Sequence, residues 1–325
     1  MSRRYFISLC ALTVSIILLT SIGAAAQTKY TPPKTADGQP DLQGIWSTLT
    51  TVPLERPANL GAKEFYTPED LAAQAKRAGA RGGGRGAAPA ETGDLAVHYD
   101  VSQFGLDRAH ATTSTSNRTS LIVGPEGRVP ALLPEAQKRQ VERATYNREH
   151  QWDGPDSRPL SERCITWPSE GPPMLAPGYN SNLQIVQGKG YVAIMQEMIH
   201  DVRVIPTDNS PHLPSNIHLY FGDARGHWEG NTLVVDTTNF TDKTAFRGSG
   251  EKLHVVERFT RTADDAIKYE FTVDDPTAWA KSWSAEVNWA KEPGPIFEYA
   301  CQEGNYGMAN NLSGARATEK KAGKD

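Results

Sequence analysis

From Asn182 onward, apolar and polar residues alternate in short runs separated by Gly, Asp and Asn, the period-two pattern of half-buried strands. Residues 183–186 and 191–199 flank Gly188-Lys189-Gly190, and 202–205 follows. Residues 253–261 and 267–273 flank Asp264-Asp265, and 283–289 and 296–301 complete the series. With almost no helical periodicity between these runs, the pattern predicts a mainly β protein, an antiparallel meander forming a barrel or sandwich.

The most informative run is 217–240, which places two histidines, three carboxylates and an arginine in one hairpin. Its turn is Gly230-Asn231, glycine first as a type II′ turn prefers. That turn predicts Glu229 opposite Thr232, His227 opposite Val234 and Arg225 opposite Asp236. Alternation then puts Asp223, Arg225, His227, Glu229 and Asp236 on one face, and Trp228, Leu233 and Val235 on the other.

Before residue 182 the periodicity weakens. Gly44-Ile45-Trp46 predicts a first strand whose Trp46 enters the core. Thr67-Pro68-Glu69-Asp70 opens a helix reaching about Ala78, with Thr67 as N-cap and Pro68 at the first helical position. Pro134 opens a second helix over 135–148, rich in helix formers but poor in apolar residues, hence a surface helix. Residues 120–123 read as a short strand. The polar segment 27–39 reads as an extended arm, the Gly/Ala/Arg-rich 81–88 as a flexible loop, 94–119 as partly covered loop and 153–173 as a long connection. A separate domain over 27–90 has too little apolar content to fold alone. The expected organisation is one β-rich domain over 27–314 with an irregular N-terminal half and two short helices, then a disordered basic tail over 315–325.

Residues 1–26 read as a signal peptide: Arg3 and Arg4, an apolar stretch, and Ala24-Ala25-Ala26 as a small-x-small cleavage site. A membrane anchor is the competing reading of that stretch. No other run approaches the ~20 apolar residues a spanning helix needs, so no membrane span is expected after cleavage. Losing Arg3 and Arg4 takes the net charge from −4 to −6, which points away from nucleic acid as a partner. The expected location is periplasmic or secreted. Of three cysteines, Cys10 leaves with the leader. Cys164 and Cys301 remain, read as one disulfide in an oxidising compartment, or as two independent buried thiols.

Residues 226–240, Gly-His-Trp-Glu-Gly-Asn-Thr-Leu-Val-Val-Asp-Thr-Thr-Asn-Phe, resemble a phrase found in a broad group of exported bacterial proteins of no established activity. Residues 253–260 and 298–306 look like the same group. Gly44-Ile45-Trp46 resembles the opening strand of lipocalin-like barrels. The first resemblance implies export and no particular chemistry; the second implies a lipocalin-like barrel.

Four groups carry candidate chemistry. On the hairpin, His227 beside Glu229 is a base with its orienting partner and Arg225 an anion grip; the structural alternative is a solvated face with Arg225–Asp236 as a cross-strand ion pair. Glu197, His200, Asp201 and Arg203 surround the end of an apolar strand. Glu197 there is costly to bury unpaired, so it is either retained for a task with a raised pKa or sits at a wet strand end. Glu257 shares a face with Leu253, Val255 and Phe259, as a cavity acid or a paired structural carboxylate. Tyr299, beside Glu298 on the last expected strand, enters a cavity or is half-buried packing.

The chain has no Gly-x-Ser-x-Gly elbow, Walker loop, His-Glu-x-x-His or dinucleotide glycine pattern after a strand. No cofactor is assigned and no metal site is placed. The expected function is acid/base chemistry on a small polar molecule, a sugar or an aromatic, as a lyase or hydrolase. Glu257 and His200 are the expected proton-transfer pair, with His227, Arg225, Glu197 and Tyr299 in substrate binding. The alternatives are a non-catalytic small-ligand carrier of the same architecture and an envelope interaction protein.

Overall fold

The computed structural model describes residues 30–81 and 112–323, apart from 169, 179 and 245. The expected leader over 1–26, most of the loop over 81–88, residues 94–111 and the last two residues of the tail lie outside the described residues. Residues from Pro32 onward cluster as one compact unit.

Among the described residues nine strands form one antiparallel sheet: β1 Gly44–Ser47, β2 Asn182–Gly188, β3 Tyr191–Gln196, β4 Val202–Pro206, β5 Asp223–Glu229, β6 Thr232–Thr238, β7 His254–Ala263, β8 Ala266–Asp274 and β9 Trp283–Glu292. Their order is β4-β3-β2-β1-β9-β8-β7-β6-β5. Two meanders, β2 to β4 and β5 to β9, are therefore joined by the four-residue β1, with Trp46 opposite Leu183 on one side and Lys291 on the other. Trp46 is fully buried, and its indole Nε1 donates to Leu42 O at 3.0 Å.

Among the described residues no ladder closes the sheet, and β4 and β5 are its edges. They nevertheless come close. A Cβ added at Gly226 would stand 3.0 Å from both Ile205 Cγ2 and Thr207 Cγ2, so glycine at 226 is what lets the edges approach. The curled sheet encloses a core of alternate residues: Val255, Glu257 and Phe259 from β7, Ile267, Tyr269, Phe271 and Val273 from β8, Ala285, Val287 and Trp289 from β9. Tyr269 stacks on Trp289 at 4.5 Å between ring centres, with Phe259 tilted against both. The connection after Cys164 runs inward, burying Pro172, Pro173 and Met174, and the Met174 N–H donates to Tyr269 Oη at 2.9 Å.

Three α-helices lie around the sheet among the described residues: α1 Pro68–Arg81, α2 Pro134–His150 and α3 Tyr306–Lys321. At the start of α1 the Asp70 N–H donates to Thr67 Oγ1 and the Thr67 N–H to Asp70 Oδ2, a reciprocal capping box. On α2, Val141 and Tyr146 are exposed, as its sparse apolar content requires. Cys164 and Cys301 are disulfide-bonded, with their Cα atoms 5.8 Å apart.

Three expectations need correction. Residues 296–301 form no strand, because both sides of β9 are already taken by β8 and β1. Residues 120–123 contribute only the single bridge Ile122↔Ala285. The tail expected to be disordered from Ala315 is helical through Lys321; its alanines and long polar side chains favour helix once Asn305 starts one.

Candidate functional site

The β5–β6 hairpin folds in the register its turn dictates: Glu229↔Thr232, His227↔Val234, Arg225↔Asp236. Asp223, Arg225 and Asp236 therefore share the outer face, and β7 adds His254 beside them. The connection between β4 and β5 crosses this face and contributes His212. It is held by the Asn239 amide, which donates to the carbonyls of Leu213, Pro214 and Ile217. Asn239 stands at φ +58°, a conformation asparagine tolerates better than most residues.

The result is a chain of alternating carboxylates and imidazoles. Asp223 Oδ1 takes Arg225 Nη1 at 2.6 Å, and Asp223 Oδ2 lies 2.9 Å from His212 Nδ1. His212 Nε2 lies 3.0 Å from Asp236 Oδ1, and Asp236 Oδ2 lies 2.7 Å from His254 Nε2. Ionised carboxylates only accept hydrogen bonds, and an imidazole N–H is what donates to them. Asp223 is buried, while His212, Asp236 and His254 are 30%, 38% and 40% exposed, so solvent reaches one end of the relay. The hydrogen bond to Asp236 raises the pKa of His254 above its ordinary 6.5, against the opposing effect of burial, and the charges of Asp236 and Asp274 add to the rise. Asp236 is lowered in turn, first by that bond and then, against burial, by the charge of His254 and by His212. His254 Nδ1 has no partner among the described residues.

The expected cross-strand pair Arg225–Asp236 does not form. Asp236 is taken by the two histidines, and Arg225 turns to Asp223 and to the carbonyls of Ala224 and Pro211. His227 is on the same face but outside the relay. It contacts Glu229 at 3.2 Å, which pairs with Arg258 at 2.8 Å, a solvated surface trio.

The expected proton-transfer pair is not assembled. Glu257 is fully buried, and both its oxygens are committed: Oε1 to Arg203 Nη1 at 3.1 Å and to Tyr269 Oη at 2.8 Å, Oε2 to Arg203 Nη2 at 2.6 Å. It is a paired structural carboxylate. For Arg203, burial works against the charge and Glu257 outweighs it, so its pKa rises; burial, then Glu257, drives Tyr269 well above its usual range. His200 is exposed on the turn between β3 and β4, where Ile199 and His200 both adopt left-handed φ, +58° and +51°. Glu257 faces the interior and His227 the outer face, so the sheet itself lies between them.

Glu197 is buried and receives N–H groups from Asn182 at 3.4 Å and Phe297 at 3.2 Å; burial raises its pKa despite these donors. It pins the segment after β9 rather than facing a cavity. Tyr299 lies half-buried on that irregular segment, not on a strand. Nearby, Glu170 is 1% exposed. Burial pushes it up to about 7, although Trp167 N and Thr166 Oγ1 donate to its Oε2. Its Oε1 has no hydrogen-bond partner among the described residues.

His212, His254 and Glu170 are the chemically notable residues that sequence reasoning did not single out. His254 had a signal, since alternation put it on the outward face with Arg258. His212 and Glu170 sit in aperiodic connections, where no pattern marks them. Among the described residues, no group of three or more His, Cys, Asp or Glu side chains has the arrangement of a metal site. Comparison with known proteins finds no matching family model, no matching curated protein and no matching solved structure.

Proposed function

We propose that this is an exported protein that transfers a proton to or from a small polar molecule, as a lyase or hydrolase, through the His254–Asp236 end of the relay. The observation that carries this reading is the 2.7 Å contact of His254 Nε2 with Asp236, with the side chain 40% exposed and no partner on Nδ1 among the described residues. A carboxylate behind an imidazole fixes ring and tautomer and stabilises the imidazolium. The pKa of His254 is raised, so its acid form is favoured over that of a free imidazole; Nδ1–H donates to a leaving atom and the neutral ring takes a proton back. His212 and Asp223 stand behind Asp236 and hold it in place. Asp223, Asp236 and Asp274 oppose an anionic substrate and Arg225 is already committed, so the substrate is neutral or cationic.

Export is supported by the leader pattern in residues 1–26, by the wording of residues 226–240, and by the disulfide, which belongs to the periplasm or the exterior. Among the described residues no helix is long and apolar enough to cross a membrane. Carriage of a ligand inside the sheet is the weaker reading, because Trp46, Tyr269, Phe259, Trp289 and the Arg203–Glu257 pair fill the interior.

The test is a screen of the purified protein against neutral and cationic glycosides, esters and amides, and against substrates that gain a double bond on elimination. A turnover reduced by about 10²–10⁴-fold in both His254→Gln and Asp236→Asn supports the assignment. Activity untouched by both substitutions, or no activity on any class, overturns it.

A further inference from the structure

At the far tip of β5, about 16 Å along the strand from Asp223, the turn between β2 and β3 meets the N-terminal arm around a groove of about 260 Å³. We propose that this groove is a binding site for one ring of a neutral carbohydrate. The site is built from different residues than the relay, and does not depend on the proton-transfer reading.

Its floor is an aromatic platform that is already in place. The Tyr191 ring lies across Gly188, where an added Cβ would stand 2.3 Å from Tyr191 Cζ; only glycine lets the ring rest on the backbone. Yet Tyr191 remains 44% exposed, so the ring is open to a ligand. Trp228 is half-buried against the core and lines the same groove. Aromatic faces in a polar groove suit the C–H face of a sugar ring, which offers an apolar surface edged by hydroxyls.

The rim supplies what those hydroxyls need. The arm is not extended throughout, as its sequence led one to expect. It folds back at the bridge Lys34↔Pro40, with the Thr35 N–H donating to Gln39 O and the Gly38 N–H to Thr35 O. This puts Asp37 at the tip of a tight turn. Gln187 clamps the arm to β2, accepting from Leu42 N at 2.6 Å and donating to Pro40 O at 3.0 Å. Arg261 holds Asp41 O at 3.0 Å. Asp37 and Lys189 are exposed, and neither has an ion-pair partner among the described residues. One carboxylate and one ammonium give the rim no net charge. It has acceptor and donor capacity for hydroxyl groups and no reason to select an anion or a cation. Trp228 and the arm are held before any ligand arrives, so binding has less ordering left to do.

Saturation-transfer NMR on the whole protein, with glucose, galactose, mannose and N-acetylglucosamine beside glucuronate and glucosamine, tests this. Saturable binding of at least one neutral sugar, weakened about tenfold or more by Tyr191→Ala and by Asp37→Ala and unchanged in His254→Gln, is the expected result. Tyr191 and Asp37 are surface residues, so circular dichroism of both variants should match the parent. Three results overturn the proposal: no saturable binding of any neutral sugar, preference for the charged sugars, or binding that survives both groove substitutions. Loss of binding in His254→Gln alone would place the sugar at the relay and overturn the groove assignment while leaving the proton-transfer reading standing.

Discussion

At the scale of single residues, three environments of ionisable groups stand apart, and two of them predict a pH dependence. His254 and Asp236 favour each other's charged forms. The contribution of His254 to stability is fully present below its ordinary 6.5 and is lost as pH rises through its raised value. That of Asp236 is present above 3.8 and is lost as pH falls through its lowered value. The pair therefore stabilises the fold most between those ordinary values. Asp236→Asn should drop the His254 pKa back toward 6.5, read from the imidazole proton shifts in an NMR titration; an unmoved midpoint would show that Asp236 does not set it. Glu170 has the opposite character. Its carboxyl is raised to about 7 by burial, so the folded protein holds a proton there that the unfolded chain releases near 4.5. Stability from this group is complete below 4.5 and is lost between there and about 7. Glu170→Gln should flatten the fall in melting temperature across that range without abolishing it, because burial also raises Glu197 and Asp201. A variant whose melting curve tracks the parent at every pH would show that Glu170 ionises freely. Glu257 belongs to the third environment, a charge met by fixed partners. Its unusual position was legible from alternation along β7, whereas its partner Arg203 was not, because nothing in either segment says that β4 and β7 face each other.

At the scale of elements, strand pairing follows from short-range chemistry wherever the connection is a tight turn. Gly230-Asn231 sets the whole β5–β6 register, and Thr67 with Asp70 starts α1. Longer connections leave the partner open. Residues 239–253 separate β6 from β7, so the meeting of His254 with Asp236 has no local signature. The same holds for β1, a four-residue strand whose place between the two meanders is not written in its own sequence. The Arg203–Glu257 pair ties edge strand β4 to β7 through the interior. Glu257→Ala leaves a buried guanidinium without its counter-charge and should cost about 3–5 kcal/mol in chemical denaturation. Replacing both residues, Arg203→Met with Glu257→Leu, should cost less than the single change, since no unpaired charge remains. A double variant less stable than Glu257→Ala would mean that the pair does more than neutralise itself.

At the scale of the whole molecule, one covalent link joins the long connection before β2 to the segment after β9. Cys164–Cys301 spans a sequence separation of 137 residues. Closing so long a loop removes unfolded-state entropy worth about 5 kcal/mol in the chain-entropy model. Reduction, or Cys164→Ala with Cys301→Ala, should lower unfolding stability by up to that amount while the far-ultraviolet circular dichroism stays β-rich. Equal stability of oxidised and reduced protein would show that other contacts already hold the two segments together. What the sequence determined by itself was the period-two texture, the hairpin turn and the starts of α1 and α2, because each is decided by steric or hydrogen-bond rules acting over a few residues; a count of two left the cysteines as either one disulfide or two separate thiols. What only the tertiary structure decided was which strands are neighbours, that the interior is filled and its acid paired, and that His212 and His254 meet across Asp236. Those outcomes depend on long connections. The entropy of closing a loop changes slowly with its length, so the chain discriminates weakly among distant partners until packing of the core selects one arrangement.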